Sequence, residues 1–314
     1  MLTKKKTAIL VLALAMCISI ASAALLEYYA KIQTTVNVTQ GILVDGHSYE
    51  TPITEEVPAT VGGGIVYTVH TIQNLGDKEA TVCLSWESND TEGINVTYFV
   101  NQATLTLENK APDTWQVIED DKYATLTYSI VGNEFAYKLE AFGLEPNTEY
   151  SLIYYADKYP RFQNWGGDNP GALIGTATSD QYGYIYTSNT IDLGIDLPNA
   201  TDANIDKYDY SVPPDNYAHA HGAKIWLVPN TDLTNGNSLP VINWEHHADW
   251  LYETDLITYL DLDSVSTHLL HPAPEFVTEI TVPAHSTISF AIRFDFAENA
   301  YGTYLVTTTV SPPK

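Results

Sequence analysis

Residues 286–310 read "STISFAIRFDFAENAYGTYLVTTTV", and this stretch contains two runs of alternating side chains. Apolar residues recur at every second position from 288 to 296, and a second run with the same period follows from 304 to 310. A period of two is typical of β-strands that bury one face. The turn residues "NAYGT" separate the two runs. The stretch therefore predicts consecutive strands of an all-β protein.

The same pattern extends to other parts of the chain. Ala124, Leu126, Tyr128 and Ile130 alternate with hydroxyl-bearing residues, and the 22 tyrosines of the sequence favour strands over helices. Only "HHADWLYETDLITYLDLD", residues 246–263, is compatible with one or two helical turns.

Composition divides the chain into two kinds of segment. Residues 45–109 and 272–314 form short strands rich in Thr and Val, whereas residues 110–271 are rich in Tyr, Trp, Asp, Asn, Pro and Gly. Domains whose ends lie close together tolerate insertions. We therefore predict an outer β-sandwich built from 45–109 plus 272–314, with residues 110–271 inserted into it.

A short motif predicts the fold of the insert. Leu144, Pro146 and Tyr150 lie in "LEPNTEY", which matches the Leu-x-Pro-x-Thr-x-Tyr tyrosine corner of Greek-key sandwiches. In that motif the tyrosine hydroxyl bonds to backbone a few residues upstream. The insert is thus predicted to be an Ig/Fn3-like Greek-key β-sandwich, with "SLIYYAD" as a core strand.

The outer segments resemble a known group of proteins. "GGIVYTVHTIQNLGDKEATVCLSWESNDTEGINVTYFV" and "ITVPAHSTISFAIRFDFAENAYGTYLVTTTV" have the layout of the TasA/camelysin group and its archaeal surface-filament relatives. The resemblance implies a jelly-roll-like β-sandwich whose N-terminal strand leaves its own domain and completes the next subunit. The large insert departs from this group, and resembles modules of uncharacterised secreted methanogen proteins. No peptidase activity is carried over from camelysin, because the sequence has neither His-Glu-x-x-His nor its inverse.

The N-terminal residues predict export followed by a strand. Residues 1–23 have the lysines, the apolar run and the small-residue cleavage site of a signal peptide. Residues 24–44 then form a predicted donor strand with one apolar face, which consists of Leu26, Tyr28, Ala30, Ile32, Val36 and Val38. No other apolar run is long enough to span a bilayer, so we expect an extracellular or cell-surface protein without a membrane span once the signal is cleaved.

Charge and sequons restrict the partners. The formal net charge of −25 disfavours nucleic acid and anionic membranes, both of which require a basic surface. Four sequons are compatible with glycosylation of an exported chain; they begin at Asn37, Asn89, Asn95 and Asn199.

Candidate ligand-binding residues lie mainly in the insert. Its acidic loop could hold calcium through Asp192, Asp196, Asp202, Asn204 and Asp206, although Asp and Asn equally serve as turn residues. The histidine pairs His219/His221 and His246/His247 have no spacing that requires a metal site. Tyr154, Tyr159 and Trp165 could form a sugar-stacking platform or pack in a core. Outside the signal, Cys83 is the only cysteine, and it is expected to be a small buried side chain.

These patterns favour a structural role. The main hypothesis is a homopolymeric subunit of an extracellular filament, sheath or matrix, joined through its N-terminal strand. The alternative is a monomeric surface protein whose insert binds carbohydrate or calcium, and other cell-surface components remain possible partners. No catalytic constellation is present, so an enzyme such as a secreted hydrolase is not predicted. No cofactor is required, although calcium could be bound.

Overall fold

The computed structural model describes residues 41–60, 62–155, 171–194, 197, 224–236, 239–257, 259–263, 270 and 274–313. Apart from Gly41, all of these residues belong to one unit, Ile42–Lys314. The all-β prediction is confirmed, and two short 3₁₀ segments, Asn230–Asp232 and Trp244–Asp249, interrupt the strands. The strands are β1 (Ile42–Val44), β2 (His47–Ser48), β3 (Ile53–Pro58), β4 (Gly64–Asn74), β5 (Ala80–Ser88), β6 (Ile94–Val100), β7 (Ala103–Asn109), β8 (Tyr123–Tyr128), β9 (Val131–Gly132), β10 (Phe135–Phe142), β11 (Glu149–Tyr155), β12 (Gly171–Thr178), β13 (Ile185–Ile191), β14 (Lys224–Pro229), β15 (Leu233–Gly236), β16 (Leu239–Ile242), β17 (Leu251–Glu253), β18 (Leu260–Asp261), β19 (Glu279–Val282), β20 (Ser286–Phe296) and β21 (Thr303–Ser311).

Two sheets form a sandwich around one hydrophobic core. Sheet A has the strand order β2-β1-β4-β20-β6, and sheet B has the order β19-β5-β21-β3. Their shared core includes Ile72 and Phe290 from sheet A and Val306 from sheet B. The hydroxyl groups of Tyr98 and Thr308 lie 3.2 Å apart across this core. The sandwich therefore uses strands from both ends of the described chain.

Strand β20 is buried on both faces. Phe290, Ile292 and Phe294 are fully buried in the sandwich core, as the alternation predicts. Ala291 is equally buried, but it belongs to a second core on the opposite side of sheet A. The small Ala side chain suits a face that packs closely against another layer. Sheet A is thus the middle layer of the molecule.

The second core lies inside a curled eight-stranded sheet, sheet C, with the order β12-β11-β14-β17-β7-β8-β10-β13. The Tyr137 hydroxyl of β10 packs directly against Gly175 of β12, so these two strands face each other across the core although they are far apart in the strand order. The sheet therefore curls into a near-barrel around its own core. The predicted inserted sandwich takes the form of one such continuous sheet. Strand β7, which the sequence placed in the outer sandwich, pairs with β8 and β17 in sheet C.

The tyrosine corner has the geometry of its motif. The Glu145 amide donates to the Tyr150 hydroxyl oxygen at 3.0 Å, and the Thr148 hydroxyl donates to the Pro146 carbonyl at 3.2 Å. Leu144 is buried in the core of sheet C. Strand β11 begins directly after this turn and pairs with β12 and β14. The motif thus fixes the entry of a central strand of sheet C.

Asn101 joins the sandwich to sheet C. It is buried, its amide donates to the Val131 carbonyl at 2.7 Å and to the Ser289 hydroxyl at 3.3 Å, and its side-chain oxygen accepts from the backbone amides of Ile130 and Val131. Buried polar groups are stable only when they are paired, so this network fixes the two cores against each other. Within the described residues, no helix is long and apolar enough to cross a membrane.

Candidate strand-acceptor site

Strand β4 is paired along only part of one side. It pairs with β20 over its whole length, from Gly64 to Asn74, whereas β1 covers only the three positions Ile72–Asn74 on the other side. In the part of the chain that the structure describes, no strand pairs with that side of 64–70. We call these seven residues the vacant edge. It is roughly 23 Å long at the rise of an antiparallel strand.

The hydrogen-bonding groups of the vacant edge can be assigned by alternation. The Thr71 amide donates to Asp45 Oδ1 at 2.8 Å, and its carbonyl accepts from the Asp45 amide at 3.0 Å. The backbone amide and carbonyl of Thr71 therefore point away from β20. Since successive residues of a strand point to opposite sides, the amides and carbonyls of Ile65, Tyr67 and Val69 point to the same unpaired side. These six groups are available to a further strand.

The vacant edge has apolar side chains on both faces and little protection. Val66 packs against the sandwich core, and Ile65 and Val69 pack against the core of sheet C, but all three are only partly buried. Exposed sheet edges normally carry Lys, Pro or a bulge that prevents pairing. Strand β4 reads "GIVYTVHTIQN" and pairs with β20 without a register shift. Strand β4 thus has neither Lys nor Pro, and it has no bulge in its pairing with β20.

Strand β3 of sheet B is next to the vacant edge, and we call the region between β3 and β4 the opening. It is the outer strand of sheet B, and the Glu55 carboxylate accepts a hydrogen bond from the Thr68 hydroxyl of β4 at 3.2 Å. Its sequence, "ITEEVP", contains two carboxylates and ends in Pro58. Such residues discourage pairing. The opening between β3 and β4 is therefore bordered by one protected edge and one unprotected edge.

A histidine cluster closes the inner side of the opening. His70 Nδ1 lies 2.7 Å from Asp45 Oδ2, and its Nε2 lies 3.2 Å from the Thr68 hydroxyl and 3.4 Å from Glu55 Oε1. Burial disfavours the charged imidazole and by itself lowers the pKa of His70. The hydrogen bonds to Glu55 and Asp45 outweigh this effect, so the pKa of His70 is raised above its usual value. The cluster connects the β1–β2 turn, β3 and β4 at the border of the vacant edge.

This cluster predicts a pH-dependent stability. Because the pKa of His70 is raised in the native state, its contribution is fully present below the unfolded value of 6.5 and is lost as the pH rises through the folded pKa. We expect His70→Gln to lower the free energy of unfolding by about 1–3 kcal/mol at pH 5, as for hydrogen bonds to charged groups, and by little at pH 9. Urea unfolding across this pH range measures the difference.

The pair His285–Asp77 is a matched control. His285 Nε2 lies 2.9 Å from Asp77 Oδ1, but the His285 side chain is 64% exposed and the Asp77 side chain is 96% exposed. Exposed ion pairs contribute little to stability, so His285→Gln should have almost no effect at either pH. Equal effects of the two substitutions at pH 5 would contradict the role of the His70 cluster.

Many residues singled out in the sequence lie outside the described part of the chain. The predicted donor residues Leu26, Tyr28, Ala30, Ile32, Val36 and Val38 are among them, as are the predicted signal peptide, Asn37, Tyr159, Trp165, Asp196, Asn199, Asp202, Asn204, Asp206, His219 and His221. Of the predicted calcium ligands, only Asp192 is described, and its Oδ1 accepts the Gly194 amide at 2.8 Å in a turn. In the described ranges, no group of three or more His, Cys, Asp or Glu side chains could hold a metal ion.

Two described sequons lie on the outer sandwich. Asn89 is exposed, and its side-chain oxygen accepts the Leu305 amide at 2.8 Å. Asn95 is exposed on β6, an outer strand of sheet A. A glycan on Asn95 would therefore lie on a strand that β20 separates from β4.

Of the two interpretations left open for Tyr154, core packing is confirmed and the sugar platform is wrong, because Tyr154 is fully buried in the core of sheet C. The expectation that Cys83 is a buried side chain is wrong in detail. Cys83 is only partly buried: Val82 and Leu84 face the core, so alternation turns Cys83 outward, where its Sγ lies 3.6 Å from Glu279 Oε1.

His246 bonds through Nδ1 to buried Asp232 at 2.9 Å, and Trp250 donates to the same carboxylate. That cluster has a structural role.

Sequence reasoning missed the vacant edge and the His70 cluster. The only local signals were a histidine within an apolar strand and the turn Asp45–Gly46, where Asp45 has a positive φ of 48°. Neither signal identifies which edges pair. No protein-family model matches the chain, and no curated protein matches its sequence.

Proposed function

We propose that the protein is a structural subunit of an extracellular filament, sheath or matrix, in which residues 24–38 of one copy pair with the vacant edge of the next. The observation that carries this proposal is the unprotected edge at residues 64–70 of β4. Strand addition of this kind gains affinity from backbone hydrogen bonds and register from alternate side chains. The role requires no catalysis, so the protein is proposed not to be an enzyme.

The direction of β1 favours a neighbour as the source of the added strand. Ile42 lies opposite Asn74, and Val44 lies opposite Ile72, so β1 runs towards the vacant edge from the far end of β4. The chain enters β1 at the end that is remote from residues 64–70. The leading segment of the same copy would have to reverse direction to reach its own edge. A head-to-tail contact between copies needs no reversal, and such a contact forms a fibre when it does not close.

The apolar face of the leading segment suits the partly buried side chains of the edge. Burial of each large side chain among Leu26, Tyr28, Ile32, Val36 and Val38 contributes about 1.5–3 kcal/mol before ordering costs. Val66 on one face of the edge and Ile65 and Val69 on the other gain cover from an added strand. The acidic net charge of −25 suits an exported protein that stays soluble until its strands pair.

Deletion of residues 24–38 tests the proposal. We expect filaments in negative-stain images of the intact protein, and a folded particle of single-subunit mass for the deletion variant. A peptide of residues 24–38 should bind this variant and raise its melting temperature, because a ligand of the native state stabilises it.

Substitutions in the peptide provide the control. Ile32→Asp is expected to abolish binding because it lies on the apolar face, whereas Gln33→Asp on the other face should bind as the unchanged peptide does. Filaments that persist after the deletion would refute the proposal.

A further inference from the structure

The outward face of β8, β10 and β13 has a pattern that the proposed polymerisation does not use. Cross-strand neighbours on this face form successive rows: Phe142 beside Tyr123, Glu140 beside Tyr186, and Lys138 beside Ser188. Leu139 and Ala141, the intervening residues of β10, are buried in the core of sheet C. The face thus extends over seven residues of β10, from 142 to 136, which is ~20 Å along the strand.

One end of this face is aromatic and the next row is mixed. Phe142 lies with its ring centroid 5.0 Å from Tyr123 and 5.0 Å from Tyr184. Tyr186 is 60% exposed, and the Lys138 ammonium lies 4.9 Å from its ring centroid and 3.0 Å from Glu140 Oε1. The ammonium and the carboxylate neutralise each other. The row therefore offers an accessible ring beside one donor and one acceptor, without net charge.

The other end continues into a cleft between sheet C and the sandwich. The cleft has a volume of about 580 Å³, and most of its lining side chains are hydroxyls and amides. Thr127, Ser188 and Thr190 come from sheet C, and Gln102, Thr287 and Ser289 come from the sandwich side. Among the described residues that line it there is no carboxylate, and the one cation is Lys138. The volume is in the range of ligand sites.

We infer that this face and cleft bind a neutral polysaccharide, with Tyr186 as the stacking residue. Sugar rings present C–H groups, which carry partial positive charge, to the negative face of an aromatic ring. Their hydroxyls both donate and accept, as do the serine, threonine and amide groups of the cleft. A protein of net charge −25 repels polyanions at long range, whereas a neutral glycan meets no such barrier.

Binding of defined hexasaccharides by the intact secreted chain tests this inference. Cellohexaose and N-acetylchitohexaose are suitable neutral probes, and calorimetry or tyrosine fluorescence reports binding. We expect at least one of them to bind, and Tyr186→Ala to weaken that binding about tenfold, the upper end for one aromatic contact. Tyr301→Ala is the control, because Tyr301 is 84% exposed in the turn between β20 and β21; it should bind as the unchanged protein does.

Two results would overturn the inference. The first is that the intact protein binds neither hexasaccharide, and the second is that Tyr186→Ala binds as tightly as Tyr301→Ala. If Tyr186→Ala changes the sedimentation of the protein while neither sugar binds, the face contacts another copy instead of a glycan. Polymerisation through the vacant edge does not involve Tyr186, so either proposal can fail without the other.

Discussion

Val69→Pro is expected to abolish filament formation and to leave a folded subunit. By the alternation along β4, the Val69 amide points to the vacant edge and makes no bond to β20. Proline removes that amide and places its ring where a further strand would pair, which is tolerated only on an unpaired edge. The variant therefore keeps the ladder to β20 but can no longer accept a strand in register. Negative-stain images and sedimentation measure the loss.

Two matched variants separate the effect of the backbone from other causes. Val69→Ala removes the same partly buried side chain but keeps the amide, so its filaments should persist. Glu56→Pro tests the other border of the opening: the Ala59 amide donates to the Gly302 carbonyl, and alternation from this pair directs the Glu56 amide away from β21. If Glu56→Pro abolishes filaments and Val69→Pro does not, β3 is the acceptor, and the assignment to β4 is wrong.

Much of the fold could be predicted from local patterns. Alternation identified β8, β20 and β21, because each of these strands buries one row of large side chains. The motif around Tyr150 located the turn before β11, because that hydrogen bond spans only five residues. These features depend on neighbours in the sequence.

The remaining features depend on contacts between distant segments. Strand β4 packs against separate cores on its two faces, so its sequence has no clear inner side. Strand β7 resembles its outer-sandwich neighbours in composition but pairs with β8 and β17. Residues 151–153 of β11 are buried as well as Tyr154, because both faces of this strand are covered. No alternation of buried and exposed positions therefore identifies Tyr154 as a core residue. The vacant edge also depends on such pairing. Whether the edge of a strand is left unpaired is decided by the positions of the other strands, so no single stretch of sequence predicts it.

The largest expected change in stability comes from a buried ion pair in sheet C. Lys110 and Glu253 are both buried; the Lys110 ammonium lies 4.0 Å from Glu253 Oε1 and also donates to the Glu253 carbonyl. Lys110→Met keeps the aliphatic stem but leaves the carboxylate without its closest cation. Removal of one partner of a buried pair costs about 3–5 kcal/mol. We expect Lys110→Met to lower the free energy of unfolding by about 3 kcal/mol at pH 8, the lower end of this range, since Lys224 still acts on the same carboxylate.

The pH dependence of this loss identifies its cause. Burial raises the pKa of Glu253 to about 7 from its ordinary value of 4.5, so the native state holds this proton more tightly than the unfolded chain does. The stabilisation from the protonated group is present below pH 4.5 and is lost as the pH rises through about 7. Glu253→Gln removes this dependence, so relative to the unchanged protein it should be more stable at pH 8 than at pH 5.

The double variant completes the test. Because both charges are removed together, the double variant Lys110→Met with Glu253→Gln should recover much of the stability that Lys110→Met alone loses. Urea unfolding of the unchanged protein, the two single variants and the double variant measures the coupling free energy between the two residues. Lys122→Met is the control: its partner Asp249 is 3.5 Å away but 65% exposed, so a loss below about 1 kcal/mol is expected. A loss from Lys110→Met that is the same at pH 5 and pH 8, and that Glu253→Gln does not relieve, would assign the effect to the cation–π contact of the ammonium with the Trp115 ring, 5.5 Å away, instead of to the ion pair.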